Sequence, residues 1–343
     1  MNIEKSRIRI PTIKIASYSS ITLNSICIIL GIFYLLFPSY SITWDVFGIF
    51  LLMTFFGNLT LIFVNSNKEN GRSKFTARMN LFSYAYLVYI ILAIVCMMLG
   101  NLLISVTYSN SLIDNLLAYV LIYLFYFATL IIGIIYAVFG NKTYDKIKLG
   151  LENNYSEKGN RSSFVKTKKI LTKIVTFISR VTFIIGFIFG IVILFGSFEI
   201  VTTFIAIVSG QFGAFFSLIL FANTILLIKL KHPQWNTKKF YRTALSGVLI
   251  SGLLISPLAL TQYTIKSIES NFSNTFGSDW RERIPTEVNN YFLGTPFSLS
   301  SYFLGSSPKD CRIEQNVLFY DDEGIKLYFD AYLPLVNDNR LPG

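Results

Sequence analysis

Seven stretches of the chain are apolar over the roughly 20 residues that a helix needs to cross a hydrocarbon core. They are 17–38, 42–64, 80–106, 112–139, 176–197, 200–228 and 243–263. Each is apolar around its whole circumference instead of along one stripe, which points to lipid and not to a soluble core. The first stretch follows a basic segment (Lys5, Arg7, Arg9, Lys14) but is long and has no small-x-small cleavage site, so it reads as a retained helix and not a signal peptide. Three connections are tight, Pro38 to Ser41, Thr107 to Ser111 and Gly196 to Glu199. The pattern therefore predicts three helical hairpins and a seventh helix leading into a polar tail.

Each hairpin opens its second helix with an acid: Asp45, Asp114 and Glu199. At these ends water reaches the carboxylates, and negative charge at a helix N-terminus suits the macrodipole. Hairpin-level repetition and ordinary membrane alternation both account for the pattern.

Beyond the last span the pattern changes. Residues 264–312 are polar with interleaved aromatics (Trp280, Tyr291, Phe292, Phe297, Tyr302, Phe303) and three prolines, Pro285, Pro296 and Pro308. This predicts an exterior linker of short helices lying on the outer membrane face. Val317–Tyr320 is a β-prone run, and Asp321-Asp322-Glu323-Gly324 is a turn in which Gly324 is free to take positive φ. Ile325, Leu327, Phe329 and Ala331 then alternate at period two until Pro334, so 313–343 reads as a β-hairpin.

Charge fixes an expected orientation. The chain carries 30 Lys+Arg and 19 Asp+Glu, a net +11, with 53% hydrophobic and only 14% charged residues. A soluble domain is nearer one-quarter charged, and a disordered chain is poor in aromatic residues, so both classes are excluded. The first 263 residues hold 23 basic and eight acidic side chains, a net of +15, and the tail holds seven and eleven, a net of −4. The basic residues fall in the N-terminus and in 65–79, 140–175 and 229–242, with none in the tight connections. By the positive-inside rule the N-terminus is cytoplasmic and the tail exterior, in the cell membrane. Arg180 lies near the inner end of its span, where it snorkels to the headgroups. The expected partner of this charge is the anionic inner leaflet, not nucleic acid.

Candidate chemistry is sparse. One His and three scattered Cys exclude a zinc finger, a metal cluster or a disulfide framework. No Walker loop, dinucleotide fingerprint, His-Glu-x-x-His or Gly-x-Ser-x-Gly is present, so no catalytic, cofactor or metal residue is assigned. Within the spans Asn58, Asn101, Gln211 and Asn223 are polar and neutral, able to hydrogen-bond between helices. Asn58 and Gln211 are the candidate intramembrane polar site. Gly210 and Gly213 beside Gln211, with Gly186, Gly190 and Gly196, read either as close packing of the fifth and sixth spans or as a midplane pocket. A non-enzymatic transporter subunit, receptor or sensor would rest on that pocket.

The hairpin resembles the entry to the α/β-hydrolase fold in the esterase/lipase group related to carboxylesterases, where an opening hairpin carries Tyr-x-Asp followed by Leu-x-Leu-Asp-x-Tyr-x-Pro. The matching residues are Tyr320, Asp322, Leu327, Phe329, Asp330, Tyr332 and Pro334, with Gly324 in the turn and Pro342 at the approach to the next strand. The resemblance covers about 315–343, under a tenth of the chain. It implies an exterior domain that hydrolyses an ester, on a lipid-like substrate, by nucleophilic acyl transfer. The family's oxyanion glycines, nucleophile elbow, acid and His would all lie beyond Gly343, so no catalytic residue carries over. The expected fold is thus an all-α polytopic membrane protein of seven transmembrane helices with a short exterior α+β tail.

Overall fold

The computed structural model describes residues 3–37, 42–66, 74–106, 112–148, 161–196, 199–231, 237–284, 297–305, 311–322 and 325–334. Ten α-helices are described: α1 (Ile3–Leu36), α2 (Ile42–Ser66), α3 (Lys74–Val106), α4 (Leu112–Tyr119), α5 (Phe125–Lys148), α6 (Arg161–Phe195), α7 (Ile200–Lys231), α8 (Thr237–Ala259), α9 (Thr261–Phe276) and α10 (Leu299–Leu304). A π-turn, Val120–Leu124, joins α4 to α5. Two strands, β1 (Cys311–Asp322) and β2 (Ile325–Pro334), close the list.

Seven of these helical stretches are long and apolar enough to cross a membrane, and they coincide with the seven expected spans. The helices outrun the apolar segments. Residues read as polar loops wind into helix because Lys, Arg and Glu are good helix formers once a turn exists to extend. So α1 reaches back to Ile3, α5 continues to Lys148, and α6 starts at Arg161.

The bundle is built around α7. Between Phe212 and Lys229 nearly every side chain of this helix is buried, because it touches α2 and α3 on one side and α6 and α8 on the other. The first half of the chain makes a group of α1, α2, α3 and α5. The second half packs α6, α7 and α8 together. Aromatic contacts tie the groups: Phe56 meets Phe221 edge to face at 5.5 Å, and Phe63 stacks on Phe240 at 6.4 Å. Tyr84 donates its hydroxyl proton to the Lys229 carbonyl at 3.1 Å, and the Lys229 ammonium lies 5.0 Å from the same ring. These contacts set Asn65, Arg78, Lys142, Lys229 and Arg242 at one end, the basic end. The opposite end, where α10 sits, is the tail end.

Close approach in the second group depends on glycine, most tightly between α7 and α8 and, at Gly186, also between α6 and α7. A Cβ on Gly213 would strike the Leu254 carbonyl and one on Gly247 would strike Thr224, so the tight seam joins α7 to α8. Gly190 faces Leu253 of α8, and Gly186 touches both neighbours, Leu220 and Ile250. Gly196 takes φ of +78° in the turn, and Gly210 packs on nothing. Outward, the bundle presents apolar side chains such as Leu81, Ile184, Phe187 and Leu249, each more than half exposed.

The tail departs from expectation. Residues 261–276 do not break into short helices. Thr264 N–H donates to Leu260 and Leu260 N–H to Ser256, carrying α8 past Pro257 into α9. No residue of α9 is buried. By contrast α10, expected on the membrane face, is inserted among α2, α3 and α7.

β1 and β2 pair antiparallel, with Leu318 opposite Tyr328 and Asp322 opposite Ile325. Irregularities fall between Glu314 and Val317 and between Leu318 and Tyr320. Gly324 and the connections 38–41 and 107–111 lie outside the described residues. So do the side chains of Asp114, Asp322, Asp330, Tyr332 and Pro334, whose backbones are placed in α4, β1 and β2.

Candidate functional site

Two buried polar arrangements stand out, one at the tail end and one inside the first helix group. The first is a socket that holds α10. Ser298 sits in extended backbone (φ −126°) and its hydroxyl accepts from the Ser301 amide at 3.4 Å, capping the short helix. The next free amide, Leu299 N–H, donates to Asp45 Oδ1 at 2.8 Å. Asp45 thus caps a helix other than its own, and the solvated end expected of it is corrected: its side chain is half-buried under the tail.

The far end of α10 is held equally. Asn101 Nδ2 donates to the Phe303 carbonyl at 3.1 Å, and Tyr34 shares a hydrogen bond with the Ser301 hydroxyl at 2.9 Å. Tyr302 accepts from the Ala214 amide at 3.2 Å and stacks on Phe215 at 5.4 Å. Burial of the Tyr302 phenol pushes its pKa up, against the smaller pull of the Ala214 amide. Ser300, Phe303 and Leu304 are fully buried. Two glycines make the fit. A Cβ on Gly48 would lie 2.7 Å from Leu299, and Gly305, at φ +73°, passes within 3.0 Å of Asn101 and Ile104 by the same measure.

The second arrangement is a node between α1 and α2. Asn24 Nδ2 donates to Asn58 Oδ1 at 2.8 Å, and Asn58 Nδ2 returns a bond to Asn24 Oδ1 at 3.0 Å. Ser20 donates to Asn58 Oδ1 at 2.8 Å. Tyr86 of α3 lies against the pair and donates to the Thr129 carbonyl of α5 at 2.9 Å. Gly133 of α5 leaves the room: a Cβ there would sit 2.7 Å from the Tyr86 oxygen and 2.8 Å from each Asn. Four helices therefore converge on one satisfied amide pair. A turn further along, Cys27 Sγ and Thr54 Oγ1 are 3.2 Å apart, and Tyr126 donates to the Cys27 carbonyl.

Asn58 therefore belongs to a real polar site, while Gln211 does not share it. Gln211 is exposed on the side of α7. Its near neighbour Ala214 is bonded to Tyr302, which sets Gln211 toward the tail end and away from the middle of the bundle. No atom lies within 4 Å of a Cβ on Gly210. Gln211 is thus an exposed amide of α7, apart from the Asn58 node. Asn223 pairs with Ser179 of α6, and Asn101 serves the socket. Glu199 remains exposed, its amide bonded to the Thr202 hydroxyl.

Ser20, Asn24 and Tyr86 were missed by sequence reasoning, although Ser17, Ser20, Asn24 and Cys27 recur at spacings of three and four, one helix face. Among the described residues no group of His, Cys, Asp or Glu is placed to hold a metal ion. A cleft of about 340 Å³ lies outside the bundle, lined by Phe272, Phe276, Trp280 and Arg283. Both polar arrangements position helices and present no activated nucleophile. No protein-family model, no curated protein and no solved structure matches the chain.

Proposed function

We propose that this chain is an integral membrane protein whose helices hold an exterior domain of the α/β-hydrolase, esterase type. The seven apolar helices with apolar outward faces support the membrane reading, because a bilayer is the solvent that such a surface fits. Collection of Arg78, Lys142, Lys173 and Arg242 at one end supports a cytoplasmic N-terminus and an exterior tail.

The observation that carries the hydrolase reading is the state of the hairpin. Phe319 and Phe329 meet edge to face at 5.7 Å on one side of the ribbon, and Leu318 lies opposite Tyr328 on the other. All four are about half exposed, as is Leu327. An isolated two-stranded ribbon is marginal in water, and one with apolar side chains on both faces is built to be covered as part of a larger sheet. Asp322, Gly324, Asp330, Tyr332 and Pro334 would form its structural edge, and the missing catalytic groups would follow. α10, clasped by Asp45 and Asn101, fixes that domain to the bundle. The test is the coding sequence downstream of Gly343, followed by fluorophosphonate labelling of the whole product. Absence of both His-Gly-Gly and Gly-x-Ser-x-Gly from that frame sinks the reading.

A second reading, a transporter subunit, receptor or sensor, is favoured by the Asn24–Asn58 node, since buried amides in apolar helices are costly unless used. Ligand-dependent thermal stabilisation of the full chain, abolished in Asn58→Ala, would support it over the hydrolase.

A further inference from the structure

α6 and α8 run side by side in the same direction. Gly186 faces Ile250 and Gly190 faces Leu253, so residues of the two helices lie level when their numbers differ by 63 to 64. Carried toward the basic end, this register sets Arg180 level with residues 243–244 and Lys173 level with 236–237. Lys173 and Arg180 of α6 and Lys238, Lys239 and Arg242 of α8 therefore fall within about 10 Å along the axis. All five are exposed. On α6, Lys173 and Arg180 lie about 100° around from the packed face of Ser179 and Gly186. The sequences of α6, α7 and α8 contain no Asp or Glu at all.

Arg180 is the telling member. The apolar run of α6 opens at residue 176, so Arg180 stands about 6 Å inside it. It is flanked by Phe177 and Ile184, 69% and 60% exposed, so it faces the surrounding medium and not the bundle. An arginine one turn inside a span snorkels, laying its stem along apolar neighbours and its guanidinium at the headgroup level, where lipid phosphates lie.

We infer that the groove between α6 and α8 at the basic end seats the headgroup of an anionic phospholipid of the cytoplasmic leaflet. The inference rests on the membrane reading above. Arg180, Arg242 and Lys173 surround the phosphate, with Lys238 and Lys239 at the rim. The acyl chains run along Phe177, Ile184, Leu245 and Leu249 toward Gly252, where a Cβ would meet no atom within 4 Å. Position selects the ligand: the cations stand at the headgroup level beside an apolar face, so an anion that brings acyl chains is matched on both sides and an aqueous anion only on one.

The test uses the full chain reconstituted in phosphatidylcholine vesicles, alone or doped with phosphatidylglycerol, then extracted for native mass spectrometry. The expected result is retained phosphatidylglycerol, preferred over phosphatidylcholine by about tenfold or more, as two or more cations near a membrane surface would give. Arg180→Gln with Arg242→Gln abolishes the preference, Arg180→Lys with Arg242→Lys keeps most of it, and Lys142→Gln leaves it intact. Equal retention of the two lipids, or displacement by inorganic phosphate, overturns the proposal. A chain that carbonate strips from the vesicles overturns the membrane reading itself, a distinct outcome.

Discussion

The carboxylate of Asp45 accepts the amide proton of Leu299 at 2.8 Å, across 254 residues of chain. One residue opens the second long helix, and the other opens a six-residue helix of the tail. The bond is charge-assisted and partly shielded, so it outweighs a neutral pair. It also changes the meaning of the tail, whose α10 completes the core at one end, with Phe303 and Leu304 as buried as any residue of the spans.

If α10 is clasped in this way, the clasp opens when its tightest contact is filled. A methyl on Gly48 would lie 2.7 Å from the Leu299 side chain and 2.8 Å from its carbonyl carbon, and backbone cannot swing aside. Gly48→Ala should cost about 1–3 kcal/mol at the socket and release the tail. In a background without other cysteines, Ser300→Cys should resist a polar maleimide, since Ser300 is fully buried. It should label readily once Gly48→Ala or Asp45→Ala is added. Equal labelling rates would show that α10 is not held there.

The Asn24–Asn58 pair should behave as one unit with Gly133. Asn58→Ala removes the acceptor of the Ser20 hydroxyl and the donor to Asn24 Oδ1, and leaves Asn24 Nδ2 with its bonds to Ser20 alone, a loss of about 1–2 kcal/mol. Gly133→Ala pushes a methyl into the same atoms. Removing the Asn58 side chain makes room for that methyl, so the double variant should lose less than the sum of the single losses. Unfolding in mixed micelles measures the cycle, and strict additivity would separate Gly133 from the node.

The spans were legible because seven apolar runs of membrane length leave few alternatives. Their orderly basic loops were legible as charge but not as helix, since only the structure shows α5 and α6 extending into them. Asn58 stood out in sequence as an amide inside a span, yet its partner Asn24 did not, because a single asparagine carries no sign of the helix it faces. Gln211 looked equivalent to Asn58 in composition and proved exposed, since which side of α7 is packed depends on α8 and α10. The burial of α10 was least legible. Leu299-Ser300-Ser301-Tyr302-Phe303-Leu304 is too short for periodicity to separate an interfacial segment from a docked one. Its acceptor, Asp45, lies near the other end of the chain.

The turn after α9 should be acid-sensitive. Arg283 donates to both oxygens of Asp279, at 2.6 Å and 3.0 Å, and this pairing, helped by the local backbone, holds the Asp279 carboxyl below its ordinary range. A depressed carboxylate contributes stability that is complete above its ordinary pKa and is lost as pH falls through the lowered one. Order at 277–284 should therefore persist through the mildly acidic range and decay only in stronger acid. Asp279→Asn should remove that pH dependence. The Arg283 Nε–H resonance reports it directly, and a decay unchanged in Asp279→Asn would assign it to another group.

Orientation admits the most direct test. Lys142, exposed where α5 leaves its apolar segment, belongs to the basic end, and Ser278, exposed in the turn that follows α9, belongs to the tail. On the proposed topology the first lies inside the cell and the second outside, since moving the basic end across the bilayer would carry most of the +15 of the first 263 residues with it. In a background without other cysteines, Ser278→Cys should react with an impermeant maleimide in intact cells. Lys142→Cys should react only after permeabilisation. The reverse pattern would invert the topology, and with it the exterior placement of the hairpin and the cytoplasmic placement of the α6–α8 groove. Reaction of both in intact cells would mean that the helices do not separate two compartments.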